Sequence, residues 1–445
     1  MDNYQIYEAK RCSAAEAVRL IKDGDWVDYG MSCAYPTALD KALARRCDEL
    51  RDIKVRNAIS CHPVAILEAD PENRTFTYNL WHCSGIDRKY LDAGRAYHEP
   101  MLFRHCGSYY RRGFAPVDVA MISVAPMDKY GNFSFGLTNG CMQEMLDAAK
   151  KIIVEVNPKM PVVFGLANDH IHISKVDAVV ESDEDVVLAP NREPSDVDRK
   201  IAALIFPYLH DGLTLQLGIG GMPNALGSLI AASDLKDLGM HTELMSDGYL
   251  DLYKAGKMTN DKKPFLRGKG VFSICMGSTA LYEFLDHNLD ILSAPMYYVN
   301  DPHTIAALDD FVSINSCIAV DLYGQVCSES AGTRQISGTG GQLDFVTGAY
   351  EAARGKAFLA MPSSRVDKKG VRHSNILPKF TAGDIITTPR TQAPYMVTEY
   401  GVANLSGLAT WQRAEALISI AHPDCREELI KAAEQQHIWR RSNKL

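Results

Sequence analysis

Residues 218–248 read GIGGMPNALGSLIAASDLKDLGMHTELMSDG, and the fold turns on how this stretch is read. The segment before it, LTLQL at 213–217, alternates and is apolar enough for a buried strand. Gly218, Gly220 and Gly221 break that strand. Pro223 suits the first turn of a helix, where its missing N–H costs nothing. ALGSLIAA at 225–232 continues the helix, and Gly239 reads as its stop. HTELM at 241–245 then reads as a second strand. Strand, glycine turn, helix and strand make a βαβ unit. Open parallel sheets bind ligands beyond the carboxyl ends of their strands. The glycine turn and Glu243 are therefore expected to face one crevice. Peptide N–H groups near Gly220 and Gly221 would hold a negative oxygen there while Glu243 does chemistry beside it.

Blander readings compete. The glycines serve a tight turn and nothing more, or Glu243 is one further exposed carboxylate among 55 acidic residues. A dinucleotide site is excluded in its usual form, because G-x-G-x-x-G needs glycine at 223, where Pro223 stands.

A chain of 445 residues has room for two or three domains and ample core. Hydrophobic content of 46% and charged content of 23% are ordinary for a soluble globular protein. A formal net charge of −8 argues against general nucleic-acid binding and leaves local basic patches as the places for anions. No apolar run reaches the ~18–20 residues that span a bilayer. The opening MDNYQIYEAKRC has no apolar signal core. The 11 cysteines are odd in number and include no C-x-x-C pair, which fits reduced thiols in a cytoplasm better than a disulfide framework or zinc site. His170 and His172 would share one face of a strand, but no further ligand sits at metal spacing, so no metal is expected.

The first part of the chain repeats the pattern of the opening stretch. SAAEAVRLIKD at 13–23 has helical periodicity, with Ser13 and Glu16 placed for a capping box. DWVDY at 25–29 reads as a strand and runs into GMSCAYPTAL from Gly30. In both places a helix ends at Asp-Gly, a glycine follows six residues later (Gly30, Gly218), and a Pro-x-Ala-Leu helix start comes next (Pro36, Pro223). This is a divergent internal repeat, and two related α/β halves are expected. They are placed at 1–190 and 198–445, with the polar PNREPSDVD at 190–198 as linker. DVAMISV at 118–124 reads as a strand, with NFSFG at 132–136 pairing back on it as a hairpin. HCGSYYRRG at 105–113 is either a polar loop or the lining of a carboxylate pocket. SGTGGQLDF at 337–345 carries a second glycine turn. In SSRVDKKGVRH, Arg365, Lys368, Lys369 and Arg372 are either a solvated hairpin tip or a phosphate clamp.

Taken in order, these segments resemble the acetyl-CoA hydrolase/transferase family, near its butyryl-CoA:acetate and 4-hydroxybutyrate CoA-transferases. The resemblance rests on SVAPMDKYGNFSFG (123–136), GIGGMPNA (218–225), HTELMSDG (241–248) and YVNDP (298–302). It continues through SINSCIAVDLYGQVC (313–327), SGTGGQLDF, VTEYGVANLSG (397–407) and IAHPDCREEL (420–429). It implies two open α/β domains with the active site between them, a dimer, and the glutamate of H-T-E, here Glu243, as nucleophile. It implies CoA contacts at Gly218, Ile219, Gly220, Gly221, Met222, Gly341 and Lys368, with Ile318 lining the pantetheine arm. Methionine stands at 222 where the family has isoleucine. More distant CoA-transferases use a glutamate in Ser-Glu-Asn-Gly; Ser328-Glu329-Ser330 is a faint match, which makes Glu329 the rival nucleophile.

The implied activity is transfer of CoA between a short-chain acyl-CoA, such as butyryl-CoA, and acetate. CoA is then a substrate, and no cofactor is called for. An acyl-CoA hydrolase with the same intermediate and a non-catalytic CoA or carboxylate sensor are the alternatives. A carboxylate needs no base to deprotonate it at neutral pH. The acyl pocket is expected to draw on the turn at 30–36 and the 105–113 cluster.

Overall fold

The computed structural model describes residues 2–189 and 193–440; the start of the expected linker, 190–192, lies outside them. Seven parallel strands form the first sheet. They are β1 (Trp26–Tyr29), β2 (Ile53–Asn57), β3 (Phe76–Leu80), β4 (Tyr97–His98), β5 (Val119–Val124), β6 (Lys151–Val156) and β7 (Ala178–Glu181). Their order is β4-β3-β2-β1-β5-β6-β7.

The second sheet has β8 (Thr214–Leu217), β9 (Gly239–Met245), β10 (Gly270–Cys275), β11 (Ile291–Ser293), β12 (Phe311–Ser316), β13 (Lys356–Ala360), β14 (Tyr395–Thr398) and β15 (Gly401–Asn404). Its order is β11-β10-β9-β8-β12-β13-β14-β15, and only the last pair is antiparallel. Counted from its own first strand, the first sheet runs 4-3-2-1-5-6-7 and the second repeats that order with an eighth, antiparallel strand added at its edge, so the repeat read from punctuation is a repeat of topology.

Central strands buried on both faces read as near-continuous apolar runs, as β5 (VAMISV) does. One apolar cluster joins Leu137 and Met160 of the first half to Leu217, Met245 and Cys275 of the second. The halves therefore share core. Among the described residues no helix is long and apolar enough to cross a membrane, and every cysteine is free.

Three local expectations change. The helix read at 13–23 is one turn, Ala14–Ala17, running into a 3-10 turn, though the Ser13–Glu16 capping box is present. Gly239 does not stop a helix: the helix Gly221–Ala232 ends before it, and Gly239 opens β9. A Cβ on Gly239 would come within 2.9 Å of Lys263 Cγ and Thr214 Oγ1, so close packing requires the glycine. Asn132–Ser134 pairs with His170–His172 rather than with β5, because both edges of β5 are taken by β1 and β6.

Candidate active site

Each half places a helix after its first strand: α1 (Thr37–Ala44) after β1, and α2 (Gly221–Ala232) after β8. A third helix, α3 (Gln342–Glu351), follows the second glycine turn and has Gly341 as its N-cap.

A cleft of about 490 Å³ opens where carboxyl ends of strands from both halves meet. Gly218 and Ile219 line it beyond β8, Glu243 and Leu244 near the end of β9, and Asn315 and Ser316 at β12. The first half supplies Ile59, His82, Arg88 and Phe103. A larger hollow of about 900 Å³ lies at Cys61, Met160, Leu188 and Tyr282. It contains no glycine turn, and Asp185 in its wall is paired with Lys159 at 2.6 Å, so chemistry favours the smaller cleft.

Glu243 is half-buried on β9. Asn300 Nδ2 donates to its Oε2, and Asn300 itself is fully buried within the YVNDP segment. Burial raises the Glu243 pKa to about 7 against the opposing effect of that hydrogen bond. Desolvation thus works against the expectation that this carboxylate needs no base at neutral pH, because burial favours its protonated form.

The glycine turn against this carboxylate is 338–341, not 220–221. A Cβ on Gly341 would overlap Glu243 Oε2 and Asn300 Nδ2, and one on Gly338 would come within 2.8 Å of His82 Nδ1. Gly340 has φ +55°, which favours glycine. The turn feeds directly into the amino end of α3, where first-turn N–H groups lack intrahelical partners and the helix dipole is positive.

The first turn behaves differently. Gly220 has φ +119° with open space around it, so its glycine serves backbone conformation. A Cβ on Gly221 would overlap Asp198 Oδ2, an outward approach to the helix Asp196–Ile205. Met222 is buried in the apolar core. Of this turn, Gly218 and Ile219 line the cleft, whereas Gly220, Gly221 and Met222 do not.

Ile318 is half-buried in the loop after β12, its N–H bonded to Cys327 O at 2.9 Å. Lys368 stands exposed in the turn of the Ser364–Val366 / Arg372–Ser374 hairpin, outside the cleft wall. Glu329 is buried and accepts hydrogen bonds from Thr387 Oγ1 at 2.9 Å and Thr339 Oγ1 at 3.2 Å. Those bonds anchor the second glycine turn and leave Glu329 off the cleft wall.

Neither segment expected to form an acyl pocket reaches the cleft wall. In the 105–113 cluster Tyr110 donates to Asp28 at 2.6 Å and Arg111 pairs with Glu144 at 2.8 Å. The turn at 30–36 closes on itself as a 3-10 turn, Ser32–Ala34. His170 and His172 are bonded to Asp169 and Ser174, and among the described residues no three His, Cys, Asp or Glu side chains gather as a metal site. Sequence reasoning missed Asn300, His82 and Arg88. Only Asn300 left a signal, since it lies in a segment that carried the resemblance.

A family model for the acetyl-CoA hydrolase/transferase N-terminal domain matches residues 1–189, and one for the C-terminal domain matches residues 277–433. Butyryl-CoA:acetate CoA-transferase of Anaerostipes caccae is 48% identical over 98% of this chain and 99% of its own. 4-Hydroxybutyrate coenzyme A transferase of Clostridium kluyveri is 38% identical over 97% of this chain and 98% of its own. The crystal structure of RipA from Yersinia pestis superposes with a TM-score of 0.90 at 36% identity, covering 98% of this chain and 100% of that one.

Proposed function

The chain belongs to the acetyl-CoA hydrolase/transferase family, and on that premise we propose that it is a CoA-transferase exchanging CoA between butyryl-CoA and acetate. The observation that carries this reading is Glu243 at the meeting of the two halves, with the Gly341 turn and Asn300 closed against its carboxylate.

Ionised Glu243 attacks the acyl-CoA carbonyl, giving an acyl-glutamyl anhydride and CoA thiolate. Thiolate then attacks the glutamyl carbonyl. A glutamyl-CoA thioester remains, and the acyl group leaves as its carboxylate. Acetate enters, and the steps reverse. The thioester's energy stays in covalent intermediates, so neither ATP nor a metal has a step to perform. Each tetrahedral intermediate carries an oxyanion. The peptide N–H groups at the start of α3 are our candidates to hold it, in place of those at Gly220 and Gly221; losing one such donor costs about 3 kcal/mol of barrier. Asn300 holds the Glu243 carboxylate in orientation. CoA runs past Gly218 and Ile219, with Ile318 beside the pantetheine arm and Lys368 meeting a phosphate as a point charge. The working form is a dimer, and free thiols support a cytoplasmic setting.

The test is chemical trapping. Enzyme incubated with butyryl-CoA is reduced with borohydride and the modified peptide mapped by mass spectrometry. Reduction at Glu243 is expected, and a label elsewhere overturns the assignment. Comparing acyl exchange with free CoA release in the presence of acetate separates transfer from hydrolysis.

A further inference from the structure

Residues 334–341 form a strap that the first half grips along its length. Arg334 holds Asp92 through two bonds of 2.8 and 2.7 Å. Arg88 Nη1 donates to Ile336 O at 2.8 Å, and Ser337 Oγ lies 3.0 Å from His82 Nε2. Phe103 N–H donates to Gly340 O at 3.2 Å. The strap carries the cleft wall from Arg88 to Glu243, with His82 between them. A Cβ on Gly340 would stand 3.4 Å from His82 Cε1 and 3.8 Å from Glu243 Oε1.

Of the side chains lining the cleft, Glu243 and Arg88 are the two that carry charge near neutrality. His82 is neutral there, because burial lowers its pKa to about 4. Arg88 is half-buried, and the Ile336 carbonyl is its one hydrogen-bond acceptor among the described residues. The acids of its own helix, Asp87–Asp92, are engaged elsewhere. Asp87 Oδ2 accepts from the Ser60 and Ser84 N–H groups at 3.0 and 2.8 Å, and Asp92 belongs to Arg334. Most of the guanidinium's N–H donors are therefore unspent. Ser84 lines the cleft as well. Its Oγ accepts from Ile86 N–H at 3.0 Å and Asp87 N–H at 3.2 Å, so its own hydrogen remains to donate. A guanidinium pinned by one backbone bond, with no carboxylate partner and a hydroxyl on the same wall, is equipped to receive an anion.

We propose that Arg88, with Ser84, binds the free acid as its carboxylate: butyrate as it leaves and acetate as it enters. The inference rests on the transferase reading above. The cation's place on the wall favours a carboxylate over a CoA phosphate. In this exchange CoA stays attached to Glu243 while one acid departs and another arrives. On that reading the CoA tether runs along the second half, past Gly218, Ile219, Ile318 and Lys368. The acids then pass along the wall built by the first half, where Arg88 is the cation.

Charge makes the attraction depend on the stage of the reaction. In the free enzyme, ionised Glu243 repels a second carboxylate and opposes the field of Arg88. As a thioester Glu243 has no charge, and Arg88 is then the one charged side chain lining the cleft. The cleft therefore draws in a carboxylate at the stage that consumes one.

The test takes the two halves of the exchange separately. Enzyme is charged with butyryl-CoA and freed of small molecules by rapid gel filtration. Acetate over a range of concentrations then discharges the adduct. Surviving adduct is counted by mass spectrometry, with discharge by water as the baseline. In Arg88→Gln the acetate concentration for half-maximal discharge is expected to rise about tenfold, because a charge-assisted contact is lost. The butyryl-CoA concentration for half-maximal charging should stay within about twofold of wild type. Arg88→Lys keeps the charge, and its acetate half-saturation should rise only about twofold. A rise as large as that of Arg88→Gln would assign the effect to the lost Ile336 bond and overturn the proposal. Unchanged acetate half-saturation in Arg88→Gln overturns it too, including where the adduct is lost to water faster because the strap has loosened. So does a weaker demand for charging that falls on butyryl-CoA and spares a butyryl-pantetheine thioester, which marks a phosphate site. Should Arg88→Gln not fold, Ser84→Ala decides: a severalfold rise in acetate half-saturation is expected, and none overturns the proposal. Absence of any wild-type adduct is a different failure: it removes the transferase reading, and this inference with it.

Discussion

The same crevice occurs twice in this molecule, and it is filled in one half and open in the other. Val27 pairs with Val55 three residues before Gly30, as Leu215 pairs with Met240 three residues before Gly218. Counting on from those pairs, Ala58 stands where Glu243 stands. Ala58 is buried, and around it Tyr29, Trp81, Tyr110 and Met142 leave a void of only about 10 Å³. Arg56 and Asp28 form an ion pair of 2.9 Å there, both almost wholly buried, with Tyr110 donating to Asp28. A Cβ on Gly30 would overlap Ala34 O, so this turn is folded onto its own chain. In the second half the equivalent space is the cleft. The shared topology supplies a crevice at the strand ends; one carboxylate and the absence of filling side chains supply chemistry. The first half instead grips the strap that lies over Glu243.

The contrast is broken most directly at Glu243. Glu243→Gln is expected to lower transfer at least about 10³-fold, because the nucleophile is lost rather than weakened. The same change should stabilise the fold. A carboxyl whose folded pKa is raised to about 7 binds protons better folded than unfolded. Its penalty is therefore absent below the unfolded value, grows as pH rises, and is complete above 7. Removing it should add about 1–2 kcal/mol at pH 8, read by urea denaturation. A variant that transfers normally would return Glu243 to the rank of ordinary acids. In the first half, Arg56→Met leaves Asp28 buried without its partner and should cost about 3–5 kcal/mol of stability. The kcat of the folded fraction should stay within about twofold. A large fall in kcat with stability intact would give the filled crevice a catalytic role.

Gly341→Ala sharpens the comparison. Its Cβ collides with Glu243 and Asn300, and displacing a reacting group by about 1 Å is worth roughly 10²-fold in rate. Gly30→Ala meets backbone instead and should appear as a lower Tm, with the folded fraction fully active. A smaller effect is set by pH. In the proposed mechanism only ionised Glu243 attacks, so kcat/KM should fall about tenfold per pH unit below 7 and level off above it. A flat profile between pH 5 and 8 would mean that bound substrate, rather than burial, controls the carboxyl.

What could be read in the chain was local or repeated. The strand, glycine turn and Pro-started helix lie within one short window, and the same punctuation at Gly30 marks the second copy. The glutamate on β9 followed from that window. Gly341 beside Glu243 did not, because contacts between distant turns are set by sheet order and leave no periodic trace. For the same reason the partner of the strand Asn132–Ser134 is not legible in its own residues: it pairs with His170–His172 because both edges of β5 are occupied. Gly239 shows a third kind of limit, where a glycine near a helix end was demanded by Lys263 and Thr214 rather than by the helix. Composition suits both glycine turns to holding an oxyanion, and only packing shows that the turn at 338–341, rather than 220–221, lies against Glu243.

The smallest expected effect lies at Lys368. The hairpin carrying it belongs to the second half alone, and its turn is held by Asp367. That carboxylate accepts from Lys369 N–H at 2.8 Å and Val371 N–H at 2.9 Å, with His373 Nε2 at 2.9 Å. Lys368 is exposed in a turn whose backbone is already fixed, so Lys368→Ala removes a charge without disturbing the frame. One screened contact between an exposed ammonium and a phosphate is worth up to about 1 kcal/mol. The KM for butyryl-CoA should therefore rise about fivefold at low ionic strength, with kcat unchanged. High salt should erase most of the difference, because the Debye length shrinks to about 3 Å at 1 M. A butyryl-pantetheine thioester carries no nucleotide phosphates, so its turnover should be indifferent to the substitution. Equal losses on both substrates would remove the phosphate role and leave the hairpin as a solvated tip.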